Sequence, residues 1–331
     1  MVNKGLSHIF INKGSEENRM KKRDVILDVD PGHDDAIAIL VASKLEELNI
    51  LGLSVVSGNS SIELTVKNTL NICDKLSLDY PVYQGMTIPM VRDRYLSSDS
   101  LGDVHGESGL DGPVFREHNL EIKAKHAVNF ICETIMSNDE PVTIVASGPL
   151  SNVGMALRLY PEIKDNIEEI VLMDGSATSG NVTPAAEFNI LADPEAAHIV
   201  FSSGLPIVMM GLDVTRQALA YQNRVDDIKA LNNVGSEFFC DLVEFFAQAQ
   251  KATFGWEAPP IHDVCNIVYL ANPDVFDFNE CQVDIDINRG INYGRTVCDV
   301  NHIYERKNTK VAMKLEADAF WKVITDAIAK Y

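Results

Sequence analysis

Short runs of Val, Ile and Leu recur along this chain, and most run straight into a polar residue or a glycine. They are "VILDVD" from residue 25, "ILGLSVVSGN" from 50, "PVTIVAS" from 141, "EEIVLMD" from 168 and "LPIVMMG" from 205. Stretches with helical spacing accompany them, such as "DDAIAILVASKLEE", "SIELTVKNTLNICDKLS" and "AAHIVFSSG". Strands this apolar have no wet face, so both of their faces must be covered. Parallel neighbours also need a long crossover, which a helix supplies. The expected fold is therefore α/β: an open, mostly parallel, Rossmann-like sheet with helices on both faces. No internal repeat, low-complexity segment or linker interrupts the pattern. A single domain over residues 24–331 is expected, preceded by an arm over residues 1–23.

Other stretches are read in the same way. Residues 88–118, rich in Gly and Asp, are expected as a long loop. Residues 224–254 have a helical pattern in which most of Phe238, Phe239, Phe245 and Phe246 are expected to pack in the core. "QVDIDINRGINYGRTVCDV" predicts a late β-hairpin turning near Asn292 to Gly294, and "LEADAFWKVITDAIAKY" an amphipathic closing helix.

Ligands of open α/β sheets gather beyond the carboxyl ends of the strands. Asp30, Asn59, Ser147 and Asp174 each follow a strand, so several polar groups share one edge. The densest group is in "DVILDVDPGHDDAIAIL", where Asp28, Asp30, Asp34 and Asp35 fall within eight positions. A helix N-terminus tolerates negative charge, and capping accounts for one or two of them. With no Lys or Arg between residues 24 and 43, the rest point to an all-oxygen site for Ca²⁺ or Mg²⁺. In "PPIHDVC" the two prolines hold the chain extended and fix where His262 and Asp263 emerge. Asp263 is a candidate ligand for the same ion, and His262 a candidate proton carrier. In "GNVTPAAEFNILADPEAA", Asn181, Glu187 and Asn189, with Phe188 between the last two, offer the directed donors and acceptors that sugar hydroxyls need.

Charge limits the partners. Twenty-eight Lys and Arg against 48 Asp and Glu give a net charge of −20, which opposes nucleic acid and anionic membranes and disfavours a highly phosphorylated substrate. A neutral small molecule meets no such penalty. The six cysteines form no CxxC pair and suit reduced, mostly buried thiols in a cytoplasmic protein. No segment is apolar enough over sufficient length to cross a bilayer as a helix, and the start does not have the form of a secretory signal.

Together these stretches resemble the nucleoside hydrolases, the inosine-uridine-preferring nucleoside N-ribohydrolase family. "DVDPGHDDAIAIL" is similar to that family's signature, and "VVSGN", "HGESGLDG", "ASGPLSN", "AEFNILADPEAA" and "PPIHDVC" follow in its order and at about its spacing. The resemblance implies one bound Ca²⁺ held by Asp30, Asp35, Asp263 and the main-chain carbonyl of Ser147, whose side chain would then be free to vary. It implies ribose-hydroxyl contacts from Asp34, Asn189 and Asp263, and contacts near the 5′-hydroxyl from Asn181 and Glu187. Asn59 would lie beside the attacking water and the sugar, and His105 would be a second histidine at the pocket. Asp28 has no part in the pattern and is expected behind the ligands.

The implied reaction is hydrolysis of the N-glycosidic bond by a water at the metal, with Asp30 as base and an oxocarbenium-like transition state. Inversion at C1′ is expected. His262 matches a histidine proposed as leaving-group acid in one branch, whereas a purine-specific branch has tryptophan there. Gln250, Phe254 and Trp256 would wall the base, with its identity left open. Such enzymes are commonly homodimers or homotetramers. Two alternatives stand beside this reading: a haloacid-dehalogenase-like phosphatase, which needs a helper lysine, and a non-catalytic ribose- or nucleoside-binding protein.

Overall fold

The computed structural model describes residues 22–93 and 104–331. Residues 1–21 of the expected arm, and part of the expected loop over 88–118, lie outside the described residues. The first strand, β1 (Arg23–Val29), begins one residue ahead of the expected domain start.

The chain then alternates as expected: α1 (His33–Ala42), β2 (Leu48–Val55), α2 (Ile62–Lys75), β3 (Val82–Gln84), α3 (Ala127–Ser137), β4 (Val142–Ala146), α4 (Ser151–Leu159) and β5 (Ile167–Leu172). Next come α5 (Phe188–Ala192), α6 (Pro194–Phe201), β6 (Ile207–Met209), α7 (Leu212–Thr215), α8 (Gln222–Lys229), α9 (Val234–Phe254) and α10 (Val264–Ala271). The chain closes with β7 (Phe276–Cys281), β8 (Val283–Ile285), β9 (Thr296–Cys298), β10 (Thr309–Leu315) and α11 (Ala317–Ile328).

Eight strands form one sheet in the order β3-β2-β1-β4-β5-β6-β10-β7. Every pairing in it is parallel except β10 with β7 at the edge. One core lies between the sheet and α1, α2, α9, α10 and α11; a second lies on the other face under α3, α4 and α6. Val25 to Val29 are all buried, as a strand covered on both faces requires.

The predicted hairpin is β8 with β9, antiparallel, and the predicted closing helix buries Phe320, Trp321 and Ile324. Helix α1 stops at Ala42 rather than running on to Glu47. The Arg23 N–H donates to the Glu47 carbonyl, 2.8 Å, so the chain must already be turning into β2 there. Strands β3, β7 and β10 go beyond the expected pattern; β7 and β10 carry exposed charged residues such as Asp277, Glu280 and Lys310, which hides their inner face. Strand order reverses direction between β1 and β4, so the ends of these two strands open the crevice where such sheets bind ligands.

Candidate active site

The crevice at the ends of β1 and β4 leads into a cavity of about 390 Å³, within the range that holds a small molecule. Asp34, Asn59, His105, Ser147, His262 and Asp263 line it together with Asn181, Glu187, Phe188 and Asn189. Gln250, Phe254 and Trp256 are also on its wall. Asp30 and Asp35 are absent from the lining because they lie beneath it, wholly buried.

The floor is a carboxylate cluster built by one strand end and two helix starts. Asp34 and Asp35 stand in the first turn of α1, and Asp263 is the cap before α10. These three offer oxygens within 4.8 Å of one another. Asp35 accepts from the Gly32 N–H at 3.2 Å and from the Ser147 hydroxyl at 2.5 Å. The side chain at 147 is thus used, which corrects the expectation that it is free to vary. Asp30 Oδ2 accepts the Asn59 N–H at 2.6 Å, and the Asn59 amide donates to the Asp30 carbonyl at 3.2 Å. Asp30 Oδ1 is buried without a hydrogen-bond partner among the described residues. Asp30 has no room to turn away. A Cβ at Gly58 would lie 2.0 Å from its Oδ2, and one at Gly148 2.6 Å from its Oδ1, so both neighbours must be glycine. Asp28 sits behind, accepting from the Ser54 hydroxyl at 2.5 Å and the Asn152 amide at 2.8 Å.

Burial dominates the electrostatics. Loss of solvent pushes Asp28 and Asp35 up to about 7 and Asp34 up to about 6, and holds Asp30 and Asp263 well above the carboxylate range, with mutual repulsion adding to it. Among the described residues no Lys lines the cavity, and Arg216, the one Arg on its wall, is turned to the Gly180 carbonyl at 2.9 Å and the Ser179 hydroxyl at 3.3 Å. A buried anionic cluster without a counter-charge is either protonated or closed around a cation. The free Oδ1 of Asp30 and the all-oxygen donor set fit a hard divalent ion.

Opposite the cluster, the sugar-type groups are held by backbone. Glu187 caps α5, accepting from the N–H groups of Gly175, Asn189 and Ile190 at 2.9, 2.9 and 3.1 Å. The Asn189 amide donates to the carbonyls of Ser147 and Met173, both at 2.9 Å, which leaves its oxygen for a ligand. Asn181 is exposed on the loop ahead of α5, where its N–H donates to Ala186 at 3.2 Å. His262 Nδ1 is 2.7 Å from the Thr215 hydroxyl, and burial with nearby Arg216 drives this imidazole down to about 3, so it is neutral.

Phe238 and Phe239 are core residues as expected, but Phe246 lines the cavity and stacks on His105 with centroids 5.5 Å apart. Phe245 is half-buried and stacks on His33. Arg216, Met173, Leu212 and Pro260 also line the cavity. Met173 and Pro260 stand close to Asp174 and His262 in the chain, yet which of these four side chains reach the cavity is set by the fold.

Asp174, expected at this edge, is wholly buried with neither oxygen partnered among the described residues. Burial, then Glu187, Asp30 and Asp28, hold it well above the carboxylate range. Its folded form binds a proton that the unfolded chain releases, so it destabilises progressively as pH rises above the ordinary value of about 3.9. Asp174→Asn is expected to raise stability at pH 8 by about 1 kcal/mol or more and to change little at pH 4, as read by urea unfolding.

A Rossmann-ordered sheet with a carboxylate cluster and sugar-type hydrogen-bonding groups at its switch point is the architecture of an enzyme that takes a small polar substrate at the strand ends. Residues 25–322 match the family model described as inosine-uridine preferring nucleoside hydrolase, and the chain belongs to that family. It is 43% identical over 313 residues to the pyrimidine-specific ribonucleoside hydrolase RihB of Escherichia coli strain K12, covering 94% of this chain and 99% of that one. Among solved structures it resembles a purine-preferring ribonucleoside hydrolase from Gardnerella vaginalis, with TM-score 0.86 and 30% identity over 93% of this chain and 98% of that one. A plant nucleoside hydrolase, PpNRh1, matches with TM-score 0.84 and 25% identity over 93% and 99%.

Proposed function

We propose that this enzyme cleaves the N-glycosidic bond of ribonucleosides with Ca²⁺ at the carboxylate cluster, and that pyrimidine ribonucleosides are its better substrates. The observation that carries the reading is the placement of a buried, uncompensated carboxylate cluster and a backbone-held set of sugar contacts on facing walls of one cavity. The pyrimidine preference is supported by the 43% identical relative, which is named for it.

Asp30, Asp35, Asp263 and the Ser147 carbonyl would hold the ion, with Asp34 close enough to Asp35 and Asp263 to share it or the ribose. When bound, the ion supplies a Lewis acid that lowers the pKa of a water and orients it. Asp30 is the base. Its Oδ2 is fixed by Asn59, and Oδ1 is left to take a proton from the attacking water. Positive charge grows on C1′ and the ring oxygen as the base departs, and the carboxylates of the floor stabilise it in a site of low dielectric. Asn189 and Asp34 would hold the secondary hydroxyls, and Glu187 and Asn181 the 5′ end.

Because His262 is neutral, it can donate to the leaving base only from Nε2. That requires the Thr215 hydroxyl to donate to Nδ1, which the 2.7 Å contact permits. Direct attack by water inverts C1′. Among the described residues no lysine lines the cavity to support phosphoryl transfer, and the six free thiols fit a cytoplasmic setting.

The test is base release from uridine, cytidine, inosine, adenosine and their 5′-monophosphates, with and without a calcium chelator. Nucleosides are expected to be cleaved, the pyrimidines fastest, with activity lost on metal removal and regained with Ca²⁺. Folded, calcium-loaded protein that cleaves none of the nucleosides would overturn the reading in favour of a binding role.

A further inference from the structure

His33 has no part in the reaction just described, yet both of its ring nitrogens are committed. It opens α1, is wholly buried, and packs against the rings of Phe245 and Phe246, each 5.2 Å away and parallel to within 5°. Its Nε2 is 2.8 Å from the main-chain carbonyl of Asp111, and its Nδ1 is 3.0 Å from Nδ1 of His105.

A carbonyl oxygen can only accept, so His33 Nε2 carries a hydrogen. The ring is wholly buried against two phenylalanines, a setting that disfavours a charged imidazole, so with hydrogen on Nε2 its Nδ1 is a bare lone pair. A lone pair cannot donate, so the hydrogen in the 3.0 Å contact belongs to His105 Nδ1. His105 is half-buried at the cavity wall, and loss of solvent holds it well below the histidine range, so a neutral ring with hydrogen on Nδ1 has none on Nε2. That Nε2 has no hydrogen bond among the described residues, and His105 lines the cavity. One contact competes: the His33 backbone N–H lies 3.4 Å from His105 Nδ1. At that length it yields to the 3.0 Å bond.

We infer that His33 is a positioning residue: the Asp111 carbonyl fixes its tautomer, and it in turn holds His105 with Nε2 as a hydrogen-bond acceptor toward the cavity. The catalytic meaning rests on the hydrolase reading. His105 then accepts from an N–H or O–H of the nucleoside and is not the resting acid for the departing base. That task falls to His262. If His105 takes up a proton at Nε2, its Nδ1–H remains anchored on His33, so the relay stays aligned.

The experiment is long-range ¹⁵N–¹H correlation on protein labelled at histidine, with His105 assigned by loss of its signals in His105→Gln, alongside kinetics on uridine. The wild type is expected to show hydrogen on His105 Nδ1 and none on Nε2. His33→Leu removes the acceptor. The tautomers should then mix, and kcat should fall about tenfold or more; a triad histidine held in the wrong tautomer loses about 10⁴-fold. His33→Gln, whose carboxamide can donate to Asp111 and accept from His105, should restore the tautomer and most of kcat. Hydrogen on Nε2 in the wild type, or an unchanged tautomer in a folded His33→Leu protein, overturns the inference. A protein that hydrolyses no nucleoside yet shows the Nδ1–H tautomer would fail the hydrolase reading and leave the tautomer relay standing.

Discussion

Asp30→Asn is expected to lower kcat by about 10²- to 10⁴-fold, the usual worth of a positioned general base, and by more if the ion is lost with it. The substitution is close to isosteric, which matters because Gly58 and Gly148 leave no space around this side chain. The asparagine oxygen can still accept the Asn59 N–H, so the loop after β2 stays in place. What changes is the free Oδ1, which becomes an amide that can neither take a proton nor ligate through oxygen. KM should move far less than kcat, because the proposed ribose contacts, Asp34, Glu187 and Asn189, stand on other elements. Metal content measured on the same preparation separates the two losses. Inactive protein that keeps its ion assigns the loss to proton transfer, whereas protein without ion assigns it to ligation. A folded variant with near-normal kcat would remove Asp30 from the mechanism.

The parts of this site that are legible in the sequence are those that one strand end or one helix start places by itself. Asp30, Asp34 and Asp35 follow from a strand, a Pro-Gly turn and a first helical turn, and Asp263 from two prolines ahead of a cap. Their clustering is readable because like charges so close together demand an explanation. The proposed ribose contacts are legible mainly through the family resemblance, since an Asn-Glu-Asn set on a polar loop has no distinctive chemistry until Gly175, Ser147 and Met173 hold it.

Phe246 and His33 show where such reading stops. Helical periodicity identifies a buried face of α9 and cannot say that the face divides, with Phe238 and Phe239 in the core and Phe246 against the cavity. His33 stands inside the very motif that attracts attention, but its partners are 72 and 78 residues away in the chain. The fold behaves similarly. The parallel strands announce themselves as apolar runs, whereas β7 and β10 mix charged and apolar residues and declare themselves only by pairing with one another and with β6.

Stripping the metal should reverse the way stability depends on pH. In the metal-free fold, Asp28 and Asp35 titrate at about 7 and Asp34 at about 6, with Asp30 and Asp263 also raised. The unfolded chain releases those protons near pH 4, about the ordinary carboxylate value. Between these limits the folded state binds more protons than the unfolded one, so the free energy of unfolding falls as pH rises. Metal-free protein is therefore expected to be more stable at pH 5 than at pH 8. A divalent ion needs the same carboxylates ionised, so it binds more tightly at pH 8 and expels protons as it does so. At a free Ca²⁺ concentration of about 100 times Kd it adds about 2.7 kcal/mol. The gain should be clearly larger at pH 8 than at pH 5, as read by urea unfolding of chelator-treated protein with and without Ca²⁺. Calorimetry in buffers of different ionisation heat should register the released protons. Metal-free stability that is flat or rises with pH, or protection by Ca²⁺ no larger at pH 8, would mean that the buried carboxylates are satisfied by something other than a cation.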